Sequence, residues 1–264
     1  MIRPPPLLGA ALATILLASA SAGPALGQDV YRRQQHLLDE HALLIDLPPV
    51  EAPGALSPGQ LDLGLEVVGI PAISGSTGNP NEREITISDR ARVFPRPRLS
   101  LGLPAPPGFR AMVGLGYVPP IEIEHVTLDL AAAEAEVAFT PGALRLGLRG
   151  HLVYGEARAP VTSPSLRDRL SVGELGWEAS AGYELRAGRF SLTPYAGAGQ
   201  VLLDGHFRSS VDGGTVKSRY AGAALHTGAR LLYHDHWEAA AEWSLYPGRL
   251  SHPRLRVGYV LGLW

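Results

Sequence analysis

The sequence LSHPRLRVGYVLGLW, residues 250–264, decides the fold. Side chains alternate between the two faces of an extended strand. One face of this strand is apolar and consists of Leu255, Val257, Tyr259, Leu261 and Leu263; the other carries Arg254, Arg256, Gly258 and Gly262. A terminal strand with one apolar face needs a partner strand on each side, and closure of a barrel supplies both.

Nine earlier segments show the same alternation, around residues 61–67, 99–103, 109–117, 126–139, 144–154, 175–185, 190–199, 221–233 and 237–245. In the fourth segment the apolar phase slips near Leu130, which predicts a β-bulge there. About ten strands, an even number, are typical of single-chain bacterial barrels. The predicted fold is therefore all-β, an antiparallel up-and-down transmembrane β-barrel of about ten strands, preceded by a short amphipathic helix.

The connections between these strands alternate between short and long along the chain. Short turns are predicted at residues 104–108, 140–142, 186–188 and 234–236, and longer connections at 71–98, 157–172, 205–216 and 246–253. Transmembrane barrels have short turns on the periplasmic side and longer loops outside. The short hairpin at 118–125 is the one exception, so four of five outer connections obey the rule.

Two stretches resemble known features of bacterial outer-membrane β-barrels. The chain end resembles the carboxy-terminal assembly signal of these proteins, carried here by Arg256, Gly258, Tyr259, Leu261, Leu263 and Trp264. Trp264 departs from that pattern, because it lies one residue past the apolar phase. The stretch Pro194-Tyr195-Ala196-Gly197-Ala198-Gly199 resembles a strand that recurs in small outer-membrane barrels. The resemblance implies outer-membrane lipid as surroundings, and assembly with periplasmic chaperones and the barrel-assembly machinery.

The amino terminus has the pattern of a secretory signal, with Arg3 followed by an apolar run and small residues near a cleavage site after Gly27. An amphipathic helix is predicted over residues 30–45, either as a periplasmic surface helix or as a plug at the barrel mouth. A Pro-rich linker follows it. The predicted domains are a signal peptide (1–27), a periplasmic helix and linker (28–59) and an outer-membrane barrel (60–264).

The composition excludes several classes of function. The 264 residues are 45% hydrophobic and 18% charged, with a net charge of −2, which gives no reason to expect nucleic acid as a partner. The chain has no cysteine, so disulfides, thiolate zinc sites and cysteine nucleophiles are excluded. Phosphate-binding glycine motifs are also missing, and we expect no cofactor.

The polar phase of the strands carries charges of both signs, which would be costly in lipid but can pair inside a barrel. The predicted lumen-facing residues are Asp62, Glu66, Arg98, Arg110, Arg145, Arg149, His151, Glu174, Glu178, Glu184, His226, Arg230, Glu238, Glu242 and Arg256. Either these residues fill a narrow lumen with ion pairs, or they line a thin pore for ions or small solutes. Ten strands are compatible with both.

Two other classes of function stay open from the sequence. A barrel-wall hydrolase acting on lipid or surface peptide could use His206 with Ser209, Ser210 and Asp212, or His252 with Ser251, although no Gly-x-Ser-x-Gly elbow is present. A soluble periplasmic barrel that binds a lipid-like ligand would place the apolar phase inside. His234-Asp235-His236 could ligate a metal, but a tight turn explains it better, so we expect no metal site and no catalytic residue.

Overall fold

The computed structural model describes residues 49–69, 93–123, 126–159, 167–210 and 213–263. The predicted signal peptide, the helix over 30–45, Asp212 and Trp264 lie outside these residues. The strands are β1 (Gln60–Gly69), β2 (Val93–Leu103), β3 (Phe109–Ile123), β4 (Val126–Phe139), β5 (Leu144–Ala159), β6 (Asp168–Tyr183), β7 (Leu185–Ala187), β8 (Phe190–Arg208), β9 (Thr215–Tyr233), β10 (Trp237–Tyr246) and β11 (Leu250–Gly262).

Apart from β6 and β7, each strand pairs antiparallel with its neighbours in sequence, and β1 also pairs with β11, which closes the sheet. β6 and β7 together form one strand of the wall, because both pair with β8 on either side of a break at Glu184. The fold is therefore a closed barrel of ten antiparallel strands, and the predicted fold class and strand number are confirmed.

The four short turns predicted at 104–108, 140–142, 186–188 and 234–236 lie at one end of the barrel together with Gln60 and Gly262, and we name this the turn end; the opposite end is the loop end. The turn between β9 and β10 shows why such turns form. His234 and Asp235 have φ values of 54° and 60°, and the backbone N–H of His236 donates to the carbonyl of Tyr233 at 3.2 Å. Both central residues are left-handed, as in the two-residue hairpin turns that match strand twist. The turn interpretation of His234-Asp235-His236 is confirmed.

Two details of the predicted strands were wrong. The bulge lies in β3, between Val118 and Ile121, opposite the place on β4 where the apolar phase slips. Pro119 and Pro120 lie in this interval, and proline cannot donate to the ladder, so the extra residue belongs to β3. The predicted longer connection over 246–253 was also wrong. Tyr246 pairs with Leu250, so the hairpin continues to a tight turn although its sequence is polar.

The two faces of the wall differ sharply in chemistry. The outside is a continuous band of apolar side chains; Leu148, Trp237 and Val257, for example, are 59%, 62% and 58% exposed. The inside is polar at the turn end and in the middle, where Arg149 and Arg256 are buried. Soluble monomers rarely expose contiguous apolar patches larger than a few hundred Å². This arrangement is that of a transmembrane barrel, and it is the reverse of the lipid-binding soluble barrel, whose apolar phase would point inward.

No helix in the described ranges is long and apolar enough to cross a membrane.

Candidate functional site in the barrel interior

The structure places all fifteen of the predicted lumen-facing residues on the inner side of the wall. Twelve of them are buried, and Arg110, Glu184 and His226 are partly exposed. The alternation of β-strands is responsible, because every second residue of each strand points inward. These residues occupy the turn end and the middle of the interior.

Further polar residues lie on the same inner face and were missed by sequence reasoning: Arg96, Ser100, Glu134, Glu136, Tyr195, Ser244 and His252. Glu134 and Glu136 alternate with alanines. Because alanine is only weakly hydrophobic, the apolar face of β4 was hard to distinguish from the polar face in the sequence. Arg96 lies between prolines in a segment that looked like a loop. Arg254 is also buried on this face; the alternation of β11 placed it beside Arg256 on the polar side, although it was not included among the predicted lumen-facing residues.

Arg256 connects the last strands of the wall to the first strand. It forms a buried ion pair with Asp62 of β1, and its Nε lies 3.4 Å from Glu238 Oε1 on β10. Arg230 of β9 donates to the same Glu238 carboxylate at 2.6 Å. The seam between the first and last strands is thus held by charge pairs as well as by backbone hydrogen bonds.

Arg149 is the second centre of the interior network. Its Nε donates to Glu136 Oε2 at 2.9 Å, and its Nη1 donates to Glu178 Oε1 at 3.0 Å. These contacts connect β4, β5 and β6 on the inner side of the wall. A charge taken out of water is tolerated only when it is paired and hydrogen-bonded, and Arg149 meets this condition on two strands.

A third cluster lies around Glu242 of β10. Its carboxylate accepts hydrogen bonds from the Tyr195 hydroxyl and the Ser244 hydroxyl, both at 3.0 Å, and it forms an ion pair with Arg254. Tyr195 belongs to the Pro-Tyr-x-Gly-x-Gly stretch. The tyrosine of that stretch therefore points inward and satisfies a buried carboxylate.

Residues 49–59 lie inside the barrel and run from the middle of the interior to the turn end, where β1 begins. The backbone N–H of Gly54 donates to Glu136 Oε1 at 2.7 Å, and that of Val50 donates to Glu66 Oε1 at 2.9 Å. Arg149 donates to the carbonyls of Pro49 and Glu51, at 3.3 and 3.2 Å. We name residues 49–59 the luminal segment. The linker interpretation placed this part of the chain below the barrel, whereas the structure places it inside.

The loop end of the interior is apolar. The inward-facing residues Val118, Leu130, Val153, Leu170, Val172, Val201, Leu203, Tyr220, Tyr246 and Leu250 pack into one buried cluster. We name it the apolar layer. The sequence does indicate this layer where successive residues are apolar, as at Leu152-Val153 and Val201-Leu202-Leu203. Such a run makes both faces of the strand apolar, the inner face included.

A cavity of about 300 Å³ remains at the turn end, beside the luminal segment. Its charged lining consists of Arg110, Arg145, Glu184, Arg186, Arg230 and Asp235. Arg110 donates to the carbonyl of Gly54 at 2.7 Å, so the wall and the luminal segment share this lining. Above the cavity, the apolar layer and the ion-paired side chains have little contact with solvent.

The candidate serine and histidine residues of the loop end make the following contacts in the described part of the chain. The Ser210 hydroxyl donates to the backbone carbonyl of Arg167, and its N–H donates to Asp168 at 2.7 Å. His206 lies 3.4 Å from Asp204. His252 is buried and stacks against Tyr246 at 6.1 Å. Among the described residues, no group of three or more His, Asp or Glu side chains could hold a metal.

No protein-family model matches the chain, and a search of curated proteins finds no match either. Solved structures with a similar fold include the translocator domain of the autotransporter NalP from Neisseria meningitidis, at 11% identity, covering 88% of this chain and 95% of that one with a TM-score of 0.44. The β domain of the Bordetella autotransporter BrkA is 12% identical, with coverages of 77% and 99% and a TM-score of 0.39. The toluene transporter TodX of Pseudomonas putida is 13% identical, with coverages of 80% and 70% and a TM-score of 0.34. The chain is thus similar to bacterial outer-membrane β-barrels as a class.

Proposed function

We propose that this protein is an integral barrel of the bacterial outer membrane with a sealed interior and a structural role, without catalysis. The turn end faces the periplasm in this proposal, because short turns lie on that side in such barrels. The observation that carries the proposal is the filling of the interior. Three layers follow one another from the turn end to the loop end: the luminal segment, the ion-paired middle and the apolar layer.

Each layer blocks a hydrated ion for a different reason. Backbone and side chains of the luminal segment fill the interior from the turn end to the middle, and Val50, Ala52 and Leu56 are at most 2% exposed. In the middle, Arg149 and Arg256 are held by carboxylates on several strands, so paired side chains occupy this space. In the apolar layer a passing ion would lose its hydration without gaining a polar partner, which is strongly unfavourable.

Export and assembly belong to the same proposal. A signal peptide cleaved after Gly27 would deliver the chain to the periplasm, where chaperones and the barrel-assembly machinery would receive it. The proposed assembly residues of β11 lie at the seam with β1, where Gly258, Tyr259 and Leu261 pair with Gly64, Leu63 and Leu61. β11 therefore closes the barrel against β1, which suits a role as the segment recognised during insertion.

A narrow pore for ions or small solutes is the second candidate. The polar cavity at the turn end favours it, since that cavity would be the periplasmic mouth of such a pore. In this case the luminal segment would act as a plug. It is held largely by hydrogen bonds to luminal side chains, so it could separate from the wall without breaking a strand pair.

Conductance in planar lipid bilayers distinguishes the two candidates. We expect the wild-type barrel to be silent. A variant that begins at residue 59 loses the luminal segment, and a V153S/L203S variant loosens the apolar layer; each should stay silent, because one seal remains. Only the combined variant should conduct.

Folding must be checked for each variant, and heat-dependent mobility in mild detergent gels provides that control. Steady conductance steps from folded wild-type protein would overturn the sealed barrel and favour the pore. Conductance of the variant that begins at residue 59, with the apolar layer intact, would show that the luminal segment alone is the gate.

A further inference from the structure

The cavity at the turn end has more arginines than carboxylates in its lining, and we name it the turn-end cavity. Its charged side chains are the guanidinium groups of Arg110, Arg145, Arg186 and Arg230 and the carboxylates of Glu184 and Asp235. The luminal segment closes the cavity on the side away from these groups. Its volume of about 300 Å³ is at the lower end of the range for small-molecule sites.

Arg110 is the guanidinium group of this lining that has no carboxylate partner in the described part of the chain. Its Nη1 donates to the carbonyl of Gly54 at 2.7 Å, while its Nε and Nη2 make no hydrogen bond to a described residue. Of the four charged groups that act most strongly on Arg110, three are guanidinium groups and one is a carboxylate. The side chain is partly buried, so water compensates its charge less completely than on an open surface.

The carboxylate among these four neighbours, Glu184, is already occupied. It forms ion pairs with both Arg145 and Arg186, and its Oε1 accepts a hydrogen bond from the Ser191 hydroxyl at 3.0 Å. An ionised carboxylate has about four lone-pair sites, so three donors take most of them. One negative charge is thus shared by two other guanidinium groups, and it does not balance the charge of Arg110.

Arg230 reaches the turn-end cavity from the opposite side of the barrel. Between β3, which carries Arg110, and β9, which carries Arg230, lie β4, β5, β6 and β8 in one direction and β2, β1, β11 and β10 in the other. Arg230 Nε and Nη2 bond to Glu238 at 2.8 and 2.6 Å, and its Nη1 makes no hydrogen bond within the described ranges. Thr193, paired with Arg230, also lines the cavity. Unused donors therefore approach one space from two sides.

We propose that the turn-end cavity binds a phosphate group, as inorganic phosphate or as a small phosphate monoester. Guanidinium N–H groups form charge-assisted hydrogen bonds with phosphate oxygens. Phosphate has oxygens on all sides, so it can accept from Arg110 and Arg230 at once, whereas the two oxygens of a carboxylate lie on one side. In the proposed orientation the cavity faces the periplasm; this source of the ligand rests on the proposed function, and the binding itself does not.

Equilibrium dialysis of the full-length mature protein in mild detergent against radiolabelled inorganic phosphate tests the site. Sodium chloride holds the ionic strength constant. We expect saturable binding of one phosphate per barrel. In R110Q the affinity should fall at least about tenfold, because the guanidinium group without a carboxylate partner is lost. Heat-dependent mobility in mild detergent gels checks that each variant is folded.

The matched control is R189Q, which removes one cation at the same end of the barrel. Arg189 is exposed, contacts His234 at 3.1 Å and does not line the cavity, so we expect R189Q to bind phosphate like the wild type. A second measurement leaves every arginine in place. Ala55 lines the cavity, and this cysteine-free chain gives A55C a single labelling site. Phosphate at ten times its dissociation constant should slow maleimide labelling of A55C about tenfold, because only empty cavities react. A187C, at an exposed position of the turn end outside the lining, should label at the same rate with and without phosphate.

Three results would overturn the phosphate site: no saturable binding to the folded wild type, equal affinity of wild type and folded R110Q, or unchanged labelling of A55C at saturating phosphate. Competition with glycerol phosphate separates the two forms of the ligand, because stronger displacement than by unlabelled phosphate supports a monoester and weaker displacement supports inorganic phosphate. If the membrane fraction contains no heat-sensitive folded band, the outer-membrane function fails and the dialysis result still decides the site.

Discussion

At the scale of single residues, Arg149 shows how the interior is stabilised. It bonds to carboxylates of β4 and β6 and to two carbonyls of the luminal segment. A buried ion pair is costly to form, but removing one partner leaves the other charge buried and unpaired. Two carboxylates, Glu136 and Glu178, would lose their main partner at once.

We expect Arg149→Met to lower the free energy of unfolding by about 3–5 kcal/mol, because methionine fills similar space without compensating the two carboxylates. Urea unfolding of the detergent-solubilised barrel measures this. Arg219→Met is the control, since the Arg219 side chain is 85% exposed and its ion pair with Asp204 is loose. Equal and small effects of both substitutions would contradict the central role of Arg149.

The side of the wall on which a residue lies could be predicted from the sequence, but its partners could not. Alternation is a local property, so it placed Arg149 and Arg256 on the inner face. The partner Glu136 was missed because alanine gives little contrast on β4. The contact of Arg149 with Glu51 bridges 98 residues of sequence, and nothing local specifies it.

At the scale of elements, the luminal segment depends on close packing with the wall. A Cβ on Gly102 would lie 2.0 Å from the carbonyl oxygen of Ser57. That distance is much shorter than a van der Waals contact. Neither the added Cβ nor the Ser57 carbonyl oxygen can move away without a shift of the backbone. The backbone N–H of Gly59 also donates to the Gly102 carbonyl at 2.9 Å. Gly102 is therefore a point at which the luminal segment packs closely against β2.

We expect Gly102→Ala to displace the luminal segment and expose residue 52. The chain has no native cysteine, so Ala52→Cys gives a labelling site free of background. Ala52 is 2% exposed, and maleimide should label A52C slowly in the folded barrel and faster in A52C/G102A. Gly173→Ala is the matched control, because its Cβ would meet nothing within 4 Å. Fast labelling of A52C alone would contradict a packed luminal segment.

The sequence predicted the strands well and the luminal segment poorly, for a physical reason. Strand alternation repeats over many residues and so stands out. Residues 49–59 have no period and contain Pro49, Pro53 and Pro58, which is typical of a linker. Their location is decided by carboxylates and arginines of the wall, such as Glu66 and Arg149, which come together only after closure.

At the scale of the whole molecule, closure makes the three layers possible. Only a closed wall gives every strand two partners and surrounds the charges on all sides. The number of strands could be predicted from their alternation and the parity of the turns. Closure itself was an inference from the apolar terminal strand, and it depends on the pairing of Leu63 with Tyr259, which no local pattern encodes.

A designed disulfide tests closure. Leu63 and Tyr259 are directly paired, and opposed residues of antiparallel strands have Cα atoms about 4.5–5.5 Å apart, within the range that a disulfide spans. In this cysteine-free chain, L63C/Y259C should therefore form a bond on mild oxidation of the folded barrel, and the boiled, unreduced protein should migrate differently from the reduced protein. L63C/W177C is the control, because Trp177 lies on β6, five strands away from β1 in the wall. An open sheet would leave β1 and β11 apart, so failure of L63C/Y259C to cross-link, while both cysteines react with maleimide, would show that the barrel is not closed at this seam.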